Sequence, residues 1–325
     1  MFIYFITYFD KIVKVFNVKD YLWYYVLMNE VKPLKNKQEK IILFYKFVPI
    51  ADPETVMHWQ RNMCERLNIK GRILVSKHGI NGTLGGYLED LKSYKKLMNT
   101  HTAFKDIVYK WSDGGGEHFP KLKVKVKDEI VAFGAPDEIV VTKDGIANGG
   151  KHLKPEQVHK LVEEKGDDVI FYDGRNMYEA QIGKFNNTII PNVATSKDFI
   201  KDIEEGEISK HKDKPIVTYC TGGIRCEILS AMMKNRGYTD VYQIDGGIVK
   251  YGEKYADDGL WEGKLFVFDD RMKVGFSDKA KDIADCDMCG VKTSNMINSG
   301  NIRRKLYVRC LDCVAKNPEV EKELV

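Results

Sequence analysis

Beyond residue 40 the apolar positions follow two successive rhythms. "IILFYKFVPI" is a dense apolar run and predicts a strand. Pro53 to Asn68 predicts a helix, with Asp52 at its cap and proline in its first turn. Val56, Trp59, Met63 and Leu67 repeat at helical spacing and mark a core-facing stripe. "GRILVSK" predicts a second strand, "HGINGTLGG" a glycine-rich turn region, and residues 87–99 a second helix. "DIVYKW" and "KLKVKVKDEIVAF" predict two further strands. From about residue 150 short strands alternate with helices. "DDVIFYDGRN", "KPIVTYC" and "DVYQIDGG" predict strands; "DFIKDIEEG", "GGIRCEILSAMMKNRG" and "IVKYGEKYADDG" predict helices.

The first set of strands and helices predicts a ferredoxin-like α+β domain over residues 40–135. The second predicts an α/β domain over residues 150–258, a parallel sheet with helices on both faces. A small cysteine-rich segment, 259–325, follows. Residues 31–40, "VKPLKNKQEK", form a polar linker. The stretch before it is aromatic and apolar but broken by Asp10, Lys11, Lys14, Lys19 and Asp20, so no run approaches the ~20 residues of a membrane span. It has no basic region ahead of its apolar part and no small-residue cleavage site, which argues against a secretory signal. Residues 1–39 are therefore expected to be leader and linker, with Met28 the true start and the chain cytoplasmic.

Composition narrows the picture only a little. The chain has 325 residues, 43% hydrophobic and 30% charged, with a net charge of +4. A nucleic-acid role must then rest on local patches rather than on total charge. The strict alternation of "KLKVKVK" supplies one. Leu122, Val124 and Val126 share a face, and Lys121, Lys123, Lys125 and Lys127 share the other. That row suits a phosphate backbone, and equally a solvated or guarded sheet edge. Six of the seven cysteines fall in three close pairs, which points to chemistry or metal in a reducing compartment.

The sharpest chemistry lies in "VTYCTGGIRCEI", residues 217–228. Cys220 ends a strand, beyond whose carboxyl end such sheets place their catalytic groups. Gly222 and Gly223 let successive N–H groups turn inward, the helix beginning near Gly223 adds its positive end, and Arg225 adds charge. All three favour a thiolate or persulfide anion. Cys226 sits in the first helical turn with Leu229 and Met233, as a packing residue or a resolving thiol. A cysteine-phosphatase loop needs a longer ring than the four residues, Thr221, Gly222, Gly223 and Ile224, that separate Cys220 from Arg225.

With "YDGRNMYEAQIGKF" upstream and "DVYQIDGGI" downstream, this turn resembles a rhodanese domain, whose loop cysteine carries a persulfide. The resemblance sets Asp173 and Arg175 in the family's acidic-x-Arg motif at the active-site end, and Glu179 in its Arg-x-x-x-Glu pattern. Thr221 departs from a position often basic in thiosulfate-using members. A wider series is more specific: "ILVSKHGINGT", "KLKVKVKDEIV", "YDGRNMYE", "YCTGGIRCE", "DGGIVKY" and "WEGKLFVFDDR", in that order. Over residues 40–315 the chain resembles the rhodanese-related tRNA uridine hydroxylases. That resemblance implies 5-hydroxyuridine formation at the wobble position with molecular oxygen as co-substrate, an essential Cys220, and tRNA held partly by the ferredoxin-like domain. A sulfurtransferase working through a Cys220 persulfide is the alternative, and a non-catalytic RNA-binding protein with an inert turn is the third reading.

"CDMCG" and "CLDC" place Cys286 and Cys289 ahead of Cys310 and Cys313, with twenty residues between the pairs. Two such knuckles complete a tetrahedron of thiolates, and structural zinc is the first reading. Reduced thiols and an iron–sulfur cluster are the others. Arg303, Arg304 and Lys305 form a basic tip between the pairs. His78 and His118 lie in glycine-rich loops and are expected to be exposed. Neither a two-histidine, one-carboxylate pattern for iron nor a dinucleotide fingerprint is readable, so no nucleotide cofactor is expected.

Overall fold

The computed structural model describes residues 38–298 and 306–316. The leader with its expected start at Met28, and the basic tip at Arg303, Arg304 and Lys305, lie outside the described residues. The chain divides after residue 147 into two compact units.

The first unit runs β1 (Glu39–Phe47), α1 (Pro53–Arg66), β2 (Lys70–Ser76), β3 (Gly79–Tyr87), α2 (Leu88–Met98), β4 (Lys110–Asp113) and β5 (Leu122–Val126). A short hairpin, β6 (Val141–Thr142) with β7 (Gly145–Ile146), follows. Its sheet has the order β4-β1-β3-β2-β5; the first four strands pair antiparallel, as in a ferredoxin-like fold, and β5 adds a parallel edge beside β2. The Asp52 carboxylate caps α1 by accepting from the Thr55 N–H at 3.1 Å. Val56, Trp59, Met63 and Leu67 all pack into one core with Ile42, Phe44, Ile73 and Val75.

One expectation fails here. "HGINGTLGG" is no turn: residues 79–87 form β3, the central strand between β1 and β2. Its glycines suit a strand because neighbours press on it. A Cβ on Gly82 would stand 2.4 Å from the Phe44 ring. Ile80 and Leu84 supply the buried anchors. The expected long strand "KLKVKVKDEIVAF" is also shorter and stops at Val126. Lys123 and Lys125 project from this edge strand, and Lys121 and Lys127 flank it, all four exposed.

The second unit runs β8 (Lys151–Leu153), α3 (Pro155–Lys165), β9 (Ile170–Asp173), α4 (Met177–Ala180), β10 (Gly183–Phe185), β11 (Thr188–Ile189), α5 (Phe199–Glu205), β12 (Pro215–Tyr219), α6 (Ile224–Asn235), β13 (Asp240–Ile244) and α7 (Gly247–Tyr255). Its main sheet, β11-β9-β12-β13-β8, is parallel throughout. The C-terminal segment packs onto this unit. Its β14 (Trp261–Gly263) pairs antiparallel with β10, and Trp261 enters the same core as Phe185, Tyr219 and Tyr251. The hairpin β15 (Leu265–Phe266) with β16 (Lys273–Val274) follows, then β17 (Met296–Asn298), β18 (Leu306–Val308) and α8 (Leu311–Lys316). No helix among the described residues is long and apolar enough to cross a membrane.

The crowding at β3 is testable by chemical denaturation. Gly82→Ala is expected to destabilise the protein by ~1–3 kcal/mol through overpacking against Phe44. Gly86→Ala, whose added Cβ meets nothing closer than Ile69 Cγ1 at 3.4 Å, is expected to leave the midpoint unchanged or slightly higher.

Candidate active site

Cys220 follows the last residue of β12, at the carboxyl end of the sheet's middle strand. The loop to α6 turns on Gly223, whose φ of +97° is left-handed and favours glycine. The turn aims the Gly223 N–H at the Cys220 sulfur, which it meets at 3.2 Å. A second clamp comes from the "DGGI" segment. The N–H groups of Ile248 and Val249, in the first turn of α7, donate to the carbonyls of Cys220 and Thr221 at 3.0 and 3.1 Å. Gly247, also left-handed at +68°, allows this approach, since a Cβ there would lie 2.4 Å from the Cys220 carbonyl oxygen. The loop is thus gripped from both sides.

Its electrostatics follow from what surrounds the sulfur. Burial of Cys220 opposes ionisation, because the thiolate loses water. The Cys226 thiol, the Arg225 guanidinium and the N–H groups of Arg225 and Cys226 outweigh that penalty and bring its pKa down to about 5. Cys226 is pushed the other way, first by burial and then by its anionic neighbour, and it stays a thiol donor. Cys226 is fully buried, as are Leu229 and Met233 on the same helix, so a packing position and the contact with Cys220 coexist. Cys220 itself has no exposed surface. The amides converge on the sulfur as expected, but a substrate reaches it only when the loop or its surroundings open.

Arg225 is held in turn. Glu179, fully buried, binds it through two oxygens at 2.5 and 2.8 Å, and Thr221 Oγ1 accepts weakly at 3.4 Å. Leaving either member of such a buried pair alone costs ~3–5 kcal/mol. Asp173 and Arg175 form a second bidentate pair, at 2.9 and 2.6 Å, with both side chains fully buried. Arg175 also donates to the carbonyls of Gly183 and Glu179 and lies over the rings of Tyr219 and Trp261. The acidic-x-Arg motif is therefore a brace beneath the loop, linking β9, β10 and the C-terminal strand, and it presents nothing to solvent.

Three features of this sheet end escaped sequence reasoning. The α7 clamp is one. The second is His152, in the middle of β8, which approaches Glu227 at 3.3 Å and Asp245 at 3.9 Å. Those carboxylates, Asp245 foremost, raise its pKa to about 10, so it is a cation at neutral pH. The third is Phe268, from the β15–β16 hairpin, whose ring centre lies 5.8 Å from the Arg225 guanidinium carbon. "FVFDDR" was visible as a motif, but nothing local shows where the chain carries it. His78 and His118 belong to the other unit and are half-buried rather than exposed; His118 pairs with Glu117 at 3.1 Å.

The four C-terminal cysteines come together. The sulfurs of Cys286, Cys289, Cys310 and Cys313 all lie within 4.8 Å of one another. The Cys310 N–H donates to Cys286 Sγ at 3.3 Å and the Cys313 N–H to Cys310 Sγ at 3.4 Å, bonds that favour thiolates. Such a cluster is able to bind a metal ion.

Comparison with known proteins agrees with this anatomy. Residues 39–130 match the UPF0176 acylphosphatase like domain, residues 154–254 the Rhodanese-like domain, and residues 262–322 the Rhodanase C-terminal region. Proteins named tRNA uridine(34) hydroxylase align along most of the chain. The one from Corynebacterium urealyticum is 56% identical over 280 residues, 86% of this chain and 94% of that protein. The chain belongs to the tRNA uridine(34) hydroxylase family. Another member, from Corynebacterium diphtheriae, is 57% identical over 289 residues, covering 86% and 92%, and one from an Arthrobacter species is 55% identical over 284, covering 86% and 95%.

Titration of thiolate ultraviolet absorbance, read as the difference from Cys220→Ala, is expected to show a midpoint near pH 5. Cys226→Ala is expected to move it upward, and Cys226→Ser, which keeps a donor, to move it less. A free thiol ionises at ~8.5, so between the two values the unfolded chain binds more protons. The stabilisation from ionised Cys220 is then complete above ~pH 8.5 and lost as pH falls through about 5.

Proposed function

We propose that this protein hydroxylates the wobble uridine of tRNA to 5-hydroxyuridine, with molecular oxygen as co-substrate and Cys220 as its catalytic residue. The observation that carries this is the buried, amide-cradled Cys220 thiolate in a chain 54–57% identical over most of its length to relatives named tRNA uridine(34) hydroxylase. An anticodon-loop base is already unpaired, so presenting it costs less than extruding one from a duplex. Because the Cys220 sulfur is covered, binding of the RNA is coupled to opening of the loop. Thr221, Gly222, Gly223, Ile224, Arg225 and Cys226 shape and charge that loop, and Asp173 with Arg175 supports it from below. The lysine row, Lys121, Lys123, Lys125 and Lys127, is assigned to the RNA backbone. The seven cysteines are unpaired, which suits a reducing, cytoplasmic setting.

The test is nucleoside mass spectrometry of tRNA from cells lacking this enzyme and complemented with variants. Wild type is expected to restore 5-hydroxyuridine-derived nucleosides, and Cys220→Ala to restore none. Restoration by Cys220→Ala would discard the catalytic assignment, and rapid thiocyanate formation from thiosulfate and cyanide would favour a sulfurtransferase. In the same assay with purified protein, Lys123→Gln with Lys125→Gln is expected to raise KM. It should also flatten the dependence of log affinity on log salt by ~0.7–0.9 per lost contact.

The cysteine cluster is assigned to structural zinc, bound by Cys286, Cys289, Cys310 and Cys313. The donor set fits, since four sulfurs within 4.8 Å of one another, two of them accepting backbone N–H bonds, suit a closed thiolate site. Elemental analysis is expected to find one zinc per chain, lost in Cys313→Ser together with thermal stability. Equal zinc in both proteins would refute the assignment.

A further inference from the structure

We propose that Phe268 is the platform on which the target base stacks as it is presented to the Cys220 loop; this rests on the RNA reading above. Single exposed apolar side chains are ordinary and need no explanation. Phe268 differs from them in three ways. It is 64% exposed, the one phenylalanine among the exposed large apolar side chains of the described residues. Its ring lies beside Arg225, within the cysteine loop itself, with 5.8 Å between ring centre and guanidinium carbon. And it is held outward by a locked turn rather than carried on a loose one.

That lock is made of named bonds. The Asp269 carboxylate accepts from the Arg271 N–H at 3.1 Å and from Nε and Nη2 of the same guanidinium at 2.7 and 2.6 Å. The Val267 N–H donates to the Met272 carbonyl at 3.1 Å, and Met272 takes a left-handed φ of +56° to close the turn. Behind Phe268 stands buried Phe266, edge-on with centres 5.1 Å apart, and behind that Tyr178, edge-on to Phe266 at 5.5 Å. The row thus runs from half-buried Tyr178 through buried Phe266 to exposed Phe268, and ends at the rim of the loop.

Charge decides what this rim receives. Were Arg225 unpaired, a phosphate would be the natural guest. Its guanidinium is already matched by both oxygens of Glu179, so little anion-binding capacity remains. A flat, exposed ring suits the face of an unstacked base, which single-stranded recognition holds by aromatic stacking. An unpaired pyrimidine is the occupant. Sequence discrimination is not asked of Phe268, because every base has a stacking face; it positions the base, and Cys220 performs the chemistry.

The experiment uses the full chain without oxygen and two synthetic anticodon stem-loops, one with uridine at the wobble position and one abasic there. Phe268→Ala is expected to bind the uridine hairpin about 5- to 150-fold more weakly, the loss expected for one stacked base. It should bind the abasic hairpin as wild type does. Phe268→Trp is expected to restore tight binding, and Phe268→Leu, apolar but not flat, to resemble alanine. Equal loss on both hairpins, or no loss on either, overturns the proposal. So does a shifted Cys220 titration midpoint in Phe268→Ala, since that would make the ring a cover for Arg225. With oxygen admitted, wild-type protein that binds the uridine hairpin through Phe268 but forms no 5-hydroxyuridine refutes the hydroxylase reading alone. Turnover unaffected by Phe268→Ala, in both KM and kcat, refutes stacking alone.

Discussion

An ionised sulfur with no exposed surface is the demand that organises the second unit. Water stabilises a thiolate cheaply, and a buried site has to replace it with fixed donors and charge. Here the replacement is layered. N–H groups and the Cys226 thiol meet the sulfur, Arg225 adds positive charge, and Glu179 holds Arg225. Asp173 and Arg175 form the next pair inward, joined to the same helical turn through the Glu179 carbonyl. Each ion in the series is tolerable only because of its neighbour.

The backbone serves the same demand. The parallel sheet brings the ends of β9, β12 and β13 side by side, which gathers Asp173, Cys220 and the Gly246–Gly247 turn within one rim. The α7 N–H groups, which would otherwise lack partners, find them in the loop carbonyls. The C-terminal segment completes the rim. Trp261 lies over Arg175 from within the core, and the hairpin that follows delivers Phe268 to the loop from outside. The cysteine loop thereby gains an exposed aromatic ring at its rim.

How much of this was legible depended on how local each cause is. The cap at Asp52, the stripe Val56–Trp59–Met63–Leu67 and the end of α6 before Gly237 are set within a few residues, and each appears as read. The converging amides at Cys220 were readable because a strand–glycine–helix turn has few conformations. The cysteine knuckles were readable because their spacing restricts them to one meeting point. β3 was misread because glycine is a local turn signal. Its reason to be there is the Phe44 ring of the adjacent strand, which no local pattern reveals.

By itself, then, the amino-acid order determined the two kinds of domain, the loop cysteine and its cradle, and a cysteine quartet able to bind a metal. These arise from short-range geometry and residue chemistry. Tertiary structure alone decided that Arg175 faces inward as a brace, that Glu179 pairs with Arg225 across 46 positions of chain, that α7 clamps the loop, and that Phe268 stands at its rim. Those outcomes depend on which distant segments pack together, and the free energy of burying an ion or seating a ring is set only once the partner has arrived.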